Sequence, residues 1–207
     1  YTSPHLVRFN ERIRINGCPI SDQEIIDFIQ QHQKTIMDSS ITFFEATTAL
    51  AFEYFAKQKV DIAIIETGLG GRLDSTNVLS PIQTIITEIH YDHTHILGDS
   101  IEEITAEKCG IFKNNTPSIT TNSDKRVIDT IKEHASLKRS EVSFIEKEDI
   151  IVENQTSESI SFHYDSQHFS LPQTGSYQTQ NAVLAIKTCQ NNFNTLTEKD
   201  IQLGLDQ

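Results

Sequence analysis

Val60 to Ile65 (VDIAII) is apolar but for Asp61 and rich in β-branched side chains, and it runs straight into Glu66, Gly68, Gly70 and Gly71. So short an apolar run predicts a buried strand, of the kind that lies in a parallel sheet between helices. The glycines behind it predict a tight turn in which backbone can approach a ligand closely.

Around this run the pattern alternates. Ser21-Asp22-Gln23-Glu24 has the spacing of a capping box and opens an amphipathic stretch to about Ile36. Thr42-Phe43-Phe44-Glu45 repeats the box before ATTALAFEYFAKQ, which is apolar nearly all round and predicts a buried helix. Ile82 to Ile89 reads as a second strand, followed by His90-Tyr91-Asp92-His93. Ser100 with Glu103 caps a helix predicted to reach about Phe112; Pro117 to Thr121 reads as a strand and Asp124 to Leu137 as a helix. From Glu141 to Leu171 short alternating runs predict a small antiparallel β region. Tyr177 to Gln190 is helical again, and another helix begins at Glu198. This order predicts an α/β fold, a three-layer, doubly wound, mostly parallel sheet with a small antiparallel β region over residues 141–171. In such sheets ligands sit at the carboxyl ends of strands, which directs attention to Glu66 with its glycines and to Asp92-His93.

Charge narrows the partners. Asp and Glu number 29 against 17 Lys and Arg, a formal charge of −12 with no basic block, which argues against nucleic acid and anionic membrane surfaces. No apolar run nears the ~20 residues of a membrane span, and no leader pattern opens the chain. Cys18, Cys109 and Cys189 form no metal or redox spacing, so a reduced, cytoplasmic protein is expected. The chain opens at Tyr1 rather than Met and stops at Gln207 inside a helical pattern, which leads us to expect a longer protein.

Each candidate residue has a functional and a plain structural reading. Glu66 at a strand end can hold Mg²⁺ and through it phosphate, or be a solvated acid beside a turn. His93 can ligate a metal with Asp92 orienting it, or lie in an ordinary histidine loop. His90, His93 and His95 also suggest zinc, although in an extended strand His90 and His93 point to opposite faces. Lys108 is a surface lysine or one aimed at the strand ends, with Gly110 an odd neighbour inside a helix. Ser3 is a turn serine before Pro4 or a hydroxyl ligand. Thr42 and Glu45 are explained as a capping box, and Asp74 is an Asx-turn residue or a ligand contact.

Taken together and in this order, YTSPHLVRFNERIRING, TFFEATTALAFEYFA, IETGLGGRLDSTNV, DHTHILG and AEKCGIF resemble the folylpolyglutamate synthase (FPGS) / dihydrofolate synthase family of Mur-type ATP-dependent ligases. The resemblance implies the central ATP-binding domain of that family, covering residues 1–207 in part, with a P-loop segment upstream and a C-terminal glutamate-ligase domain beyond. It implies activation of a substrate carboxylate by ATP, attack on the acyl phosphate by the amine of L-glutamate, and loss of phosphate. The substrate is dihydropteroate or a folate, and the whole protein is expected to act as a monomer. Ser3, Glu66 and His93 match the Mg²⁺ ligands, and Lys108 matches a lysine that is carbamylated, so that Glu66, His93 and Lys108 form the catalytic set. Thr42, Phe43, Phe44, Glu45, Leu73, Asp74 and Ser75 match pterin- or folate-binding stretches, and Asn181 matches an ATP contact.

Elementary chemistry is compatible with this assignment. ATP, folates and glutamate are all anionic, and an acidic protein binds them where local cations dominate. A set rich in hard oxygens suits Mg²⁺ better than zinc. Phe43 and Phe44 are expected to form a stacking wall for a pterin, and Glu66 and His93 to share one divalent-ion pocket. No GxxxxGK[ST] occurs among the 207 residues, so this stretch alone is expected to be inactive. Three alternatives stand beside this reading: a Mur-type ligase acting on a peptidoglycan precursor, a non-catalytic nucleotide- or folate-binding module, and a zinc hydrolase.

Overall fold

The computed structural model describes residues 1–206. They form an α/β architecture with two compact units, Tyr1–Leu79 and Ser80 onward.

The first unit begins with a short antiparallel ribbon, β1 (Arg14–Ile15) and β2 (Cys18–Pro19), turned by Asn16-Gly17. Both turn residues have positive φ, 50° and 80°, as a two-residue turn matching the right-handed twist of its strands requires. Helix α1 (Asp22–Asp38) follows, with the Ser21 hydroxyl accepting from the Glu24 N–H. The box is only half made, because the Glu24 carboxylate is drawn instead to Lys57 Nζ at 2.7 Å. Lys57 belongs to α2 (Phe43–Gln58), so the pair ties the two helices together. Phe28 of α1 and Leu50, Ala51 and Phe55 of α2 close over Tyr1, Ile13 and Ile20 to make the core of this unit. Burying each large side chain contributes about 1.5–3 kcal/mol.

The predicted strand at Val60–Ile65 is not a buried ladder. Its start is tied to the end of α2 by the Val60 N–H donating to the Phe55 carbonyl at 3.2 Å, and its far end to Tyr1, whose nitrogen donates to the Ile64 carbonyl at 2.8 Å and whose carbonyl accepts from the Glu66 N–H at 3.0 Å. Ile62 and Ile64 remain 53% and 81% exposed. A run of β-branched residues becomes a buried strand only when neighbours pair with both of its edges.

In the second unit β3 (Thr84–Ile86) leads through α3 (Thr94–Leu97) and α4 (Ile101–Cys109) to β4 (Ser118–Thr120), and thence through α5 (Lys125–Lys138) to β5 (Val142–Phe144). The three strands lie in the order β3-β4-β5, all parallel, with Ile119 opposite both Ile85 and Ser143. Hydroxyls cross the sheet in a buried chain: Thr84 to Ser118 at 2.6 Å, Ser118 to Ser140 at 2.7 Å, and Ser140 donating to the Thr116 carbonyl at 2.7 Å. A separate antiparallel sheet follows, β6 (Ile151–Gln155), β7 (Ile160–Tyr164) and β8 (Gln167–Leu171), and then α6 (Tyr177–Asn192) and α7 (Glu198–Leu205). Ile160, Phe162 and Phe169 pack against Val183 and Ile186 of α6. The antiparallel region therefore spans residues 151–171 rather than the expected 141–171. Val142–Phe144 belongs to the parallel sheet because α5 carries the chain back alongside β4.

Helix starts carry carboxylates whose charge the fold favours. The Thr42 hydroxyl and backbone hold Glu45 below the ordinary 4.5, and the Ser100 backbone and hydroxyl do the same for Glu103. Groups lowered in the folded state add stability that is complete above their ordinary range and lost as the pH falls through their folded values. Thermal melts are therefore expected to be flat near neutrality and to shift down as the pH drops below about 4.5, and Glu45→Gln/Glu103→Gln should flatten that acid limb.

Candidate active site

Glu66 ends the segment that Tyr1 grips, and the Ser3 N–H donates to its Oε2 at 2.9 Å. A serine and a carboxylate are thus brought together at the start of the glycine loop. Asp74 holds the loop in shape. Its Oδ2 accepts from the Gly68 and Leu69 N–H groups at 2.8 and 3.0 Å, and its Oδ1 from the Thr76 N–H at 2.9 Å and hydroxyl at 2.5 Å. Four donors around one carboxylate make an Asx turn and a loop clamp at once.

Gly68 has a second constraint. A Cβ there would lie 2.3 Å from Phe44 Cζ and 2.5 Å from Cε2, so the ring occupies the space a side chain needs. Phe44 is thereby committed to packing, with the Tyr1 ring centroid 6.0 Å away. Phe43, one residue earlier and about 100° round the helix, is 62% exposed. Its ring meets Phe9 edge-on at 5.8 Å and lies under the Arg12 guanidinium at 5.4 Å. The two phenylalanines expected to form one wall thus point to different places. Phe43 borders an apolar groove of about 220 Å³ between α1 and α2, which Phe9, Phe28 and Leu50 also line.

Thr42 and Glu45 complete the reciprocal box, the Thr42 N–H and hydroxyl donating to Glu45 Oε2 at 2.8 and 2.7 Å. Ser75 shares a hydrogen bond with Thr48 of α2 at 3.0 Å, and Leu73 is 80% exposed. Arg12, which the sequence patterns did not single out, is buried and donates from Nε to His5 Nδ1 at 2.9 Å. A charged residue beside the buried Ile13 was its one visible signal.

In the second unit His93 stands at the start of α3 in a left-handed conformation, φ 49°. Its N–H donates to Asp92 Oδ1 at 2.8 Å, and Asp92 Oδ2 lies 3.5 Å from its Nε2. His90 turns instead toward Glu88, 3.6 Å away, and the His93 and His95 rings are 6.3 Å apart. Three donors of a histidine zinc site are not gathered there, and no three His, Cys, Asp or Glu side chains among the described residues surround a common point. Lys108 is half-buried on α4, whose start is capped by Ser100 and Glu103. The helix ends at Cys109, so Gly110 is its cap and not an interior residue. Burial pushes the Cys109 thiol up to about 12 and leaves it inert. Asn181 is exposed on α6, donating to Gln178 at 3.0 Å.

Asn122, another residue the patterns missed, holds the strand end from which the His93 loop departs. It is buried, its Oδ1 accepts from the Ile89 N–H at 2.7 Å, and its Nδ2 donates to the Thr87 carbonyl at 2.8 Å and the Thr120 hydroxyl at 2.7 Å. One carboxamide therefore joins the carboxyl ends of β3 and β4.

Residues 22–189 match the family profile described as the Mur ligase middle domain. The dihydrofolate synthase/folylpolyglutamate synthase of Bacillus subtilis (strain 168) is 36% identical over 222 residues, spanning 99% of this chain and 52% of its own. Among solved structures, an FPGS–AMPPCP complex superposes with a TM-score of 0.88 at 30% identity, covering all of this chain and 55% of its own. The folylpolyglutamate synthase of Thermotoga maritima gives 0.86 at 32% identity, covering 99% and 50%. The chain spans about half or less of the length of the curated relatives it matches.

Two substitutions test this local architecture. Gly68→Ala is expected to cost about 1–3 kcal/mol in denaturant unfolding, and Phe44→Leu in the same chain should recover part of it by clearing the overlap. Asn122→Ala, which strands the Ile89 N–H and the Thr87 carbonyl, should cost about 2–3 kcal/mol by the same measurement.

Proposed function

The chain belongs to the Mur ligase family, and on that premise we propose that the whole protein is an ATP-dependent carbon–nitrogen ligase that adds L-glutamate to dihydropteroate, to tetrahydrofolate and its polyglutamates, or to both. The observation that carries this reading is the Asp74-clamped glycine loop with Glu66 and Ser3 joined at its start. A loop so held presents its acid in one place before any substrate arrives, which lowers the cost of binding. The relatives support the choice of substrate: the matched structures include an FPGS–AMPPCP–folate complex, and the matched sequences are named as folylpolyglutamate and dihydrofolate synthases.

In this reading Ser3, Glu66 and His93 hold Mg²⁺. The Ser3 backbone N–H already holds Glu66; a serine hydroxyl and a carboxylate are hard oxygen donors of the type that ion prefers, and one imidazole is compatible with them. When bound, the ion offsets the charge of phosphate oxygens. Asp92, hydrogen-bonded to the His93 N–H, sets the orientation of that imidazole. Lys108, carried as a carbamate, removes a cation from beside the metal ligands. The exposed face of Phe43 and the groove it borders suit a flat heteroaromatic ring. Thr42 and Glu45 act through the start of α2 that they cap, and Asp74 through the loop it clamps; Leu73 and Ser75 flank that loop. Asn181 serves the nucleotide. Three free cysteines support work in a reduced, cytoplasmic setting.

The test uses the whole protein and phosphate release with ATP, L-glutamate and dihydropteroate. Glu66→Ala and His93→Ala should each lower kcat on the order of 100-fold. Lys108→Ala should lose activity that acetate partly restores, since a small carboxylate can stand in for the carbamate. Wild-type turnover in the first two variants would overturn the metal assignment, and product formed only with a UDP-sugar acid would move the protein to the peptidoglycan branch.

A further inference from the structure

The loop that carries Ser3 is held by two residues that the ligase reading leaves unused, Glu11 and Arg12. They end a 3₁₀ turn, Phe9–Arg12. That turn is a firm base. Asn10 Nδ2 donates to the Ile20 carbonyl at 2.7 Å and to Asp22 Oδ1 at 2.8 Å, and the residue after the turn, Ile13, is fully buried. From this base both residues reach back to the loop. Glu11 accepts three successive N–H groups, that of Leu6 at 2.9 Å on Oε2 and those of Val7 and Arg8 at 3.2 and 2.8 Å on Oε1. The Arg8 amide, with those of Leu6 and Val7, holds the Glu11 carboxyl below the ordinary 4.5. Arg12 binds the loop twice: its carbonyl accepts from the Thr2 N–H at 2.9 Å, and its Nε donates to His5 Nδ1 at 2.9 Å. A neutral imidazole that accepts at Nδ1 carries its proton on Nε2, so the contact also fixes the His5 tautomer. Ser3 is thereby bracketed at Thr2 and at His5 by one residue, and its own N–H donates to Glu66 Oε2. Arg12 is also the one charged side chain among the buried described residues. Its neighbours are the Phe43 ring, His5 and the Tyr1 side chain rather than an acid. A buried cation with no carboxylate beside it costs solvation energy, so charge pairing does not account for its place.

We propose that Glu11 and Arg12 are positioning residues for the Glu66 site, fixing the loop over residues 2–8 so that the Ser3 N–H meets the Glu66 carboxylate. The proposal rests on the reading of Ser3 and Glu66 as site residues. Both residues act through the loop, because the contacts of Glu11 end on Leu6, Val7 and Arg8 and the loop contacts of Arg12 on Thr2 and His5. A loop left free would sample many backbone states, and Ser3 would leave Glu66 in most of them. Hydrogen bonds with an ionised partner belong to the strong class, and here a guanidinium anchors the near half of the loop and a carboxylate the far half. Arg12 therefore governs Ser3 more closely than Glu11 does.

The experiment uses the whole protein. Followed by mass spectrometry, amide hydrogen exchange over residues 1–8 should quicken at least about tenfold in Arg12→Gln and in Glu11→Ala, while α4 and α5 keep their protection. With ATP, L-glutamate and dihydropteroate, kcat well below Tm should fall about 10–100-fold in Arg12→Gln and less in Glu11→Ala. Glu11→Gln, which keeps an oxygen for the Val7 and Arg8 amides, should retain more turnover than Glu11→Ala. A double-mutant cycle separates positioning from a general structural role: in a Glu66→Ala background Arg12→Gln should lower kcat no further, because both changes remove one interaction. An equal fall in both backgrounds would overturn the proposal, and so would unchanged exchange over residues 1–8 in both variants. Glu11 lies nearer the surface than Arg12, so its variants give the test if Arg12→Gln fails to fold. Wild-type turnover in Glu66→Ala alone would overturn the reading of Glu66 itself, an outcome distinct from additive losses in the cycle.

Discussion

Four donors converge on the Asp74 carboxylate, and the geometry of the glycine loop depends on that convergence. A loop with three glycines in five residues has high conformational entropy, and without a clamp Glu66 would sample many positions. The carboxylate binds the front of the loop at Gly68 and Leu69 and its exit at Thr76, so one side chain closes both ends. Phe44 seals the inner surface, because Gly68 lacks the atom that would push the ring away. The loop that follows Glu66 thus lies between a polar clamp on one side and an aromatic wall on the other.

The second unit solves the same problem by a different route. The chain leaving β3 has no glycine loop; Asn122 reaches across from the end of β4 and binds the carbonyl of Thr87 and the N–H of Ile89. An amide side chain suits this task because it donates and accepts at once, and in a buried setting both groups must be satisfied. His93 then takes a left-handed conformation beside Asp92 to start α3. In both units the candidate residues Glu66 and His93 are exposed, while Asp74 and Asn122, which fix the segments beside them, are saturated with hydrogen bonds or buried.

Local rules were readable in the residues. The Thr42–Glu45 and Ser100–Glu103 boxes form as spelled, since the partners are three residues apart and need nothing distant. The helix over α5 and the alternating strands β7 and β8 follow for the same reason. Two failures involve a partner elsewhere in the chain, and a third is a helix end read as an interior. Glu24 leaves its own cap for Lys57, thirty-three residues on. Val142–Phe144 alternates like a hairpin strand yet pairs parallel with β4. Gly110 looked like an anomaly inside a helix and is its end.

What the amino-acid order settles is the class of fold, the helix starts, the family and the set of residues worth considering, because periodicity, caps and co-linear motifs are written in neighbouring positions. Which of those residues are free to meet a ligand was decided by folding. Phe43 and Phe44 are chemically identical and adjacent, but a helix turns them apart, so one borders a groove and the other is spent against Gly68 and Tyr1. Asp74 reads in the sequence as an Asx-turn residue or a ligand contact, and its four donors are those of the turn. Arg12 and Asn122 leave almost no local trace, since their importance comes from burial and from hydrogen bonds to distant residues, and both are properties of the folded chain.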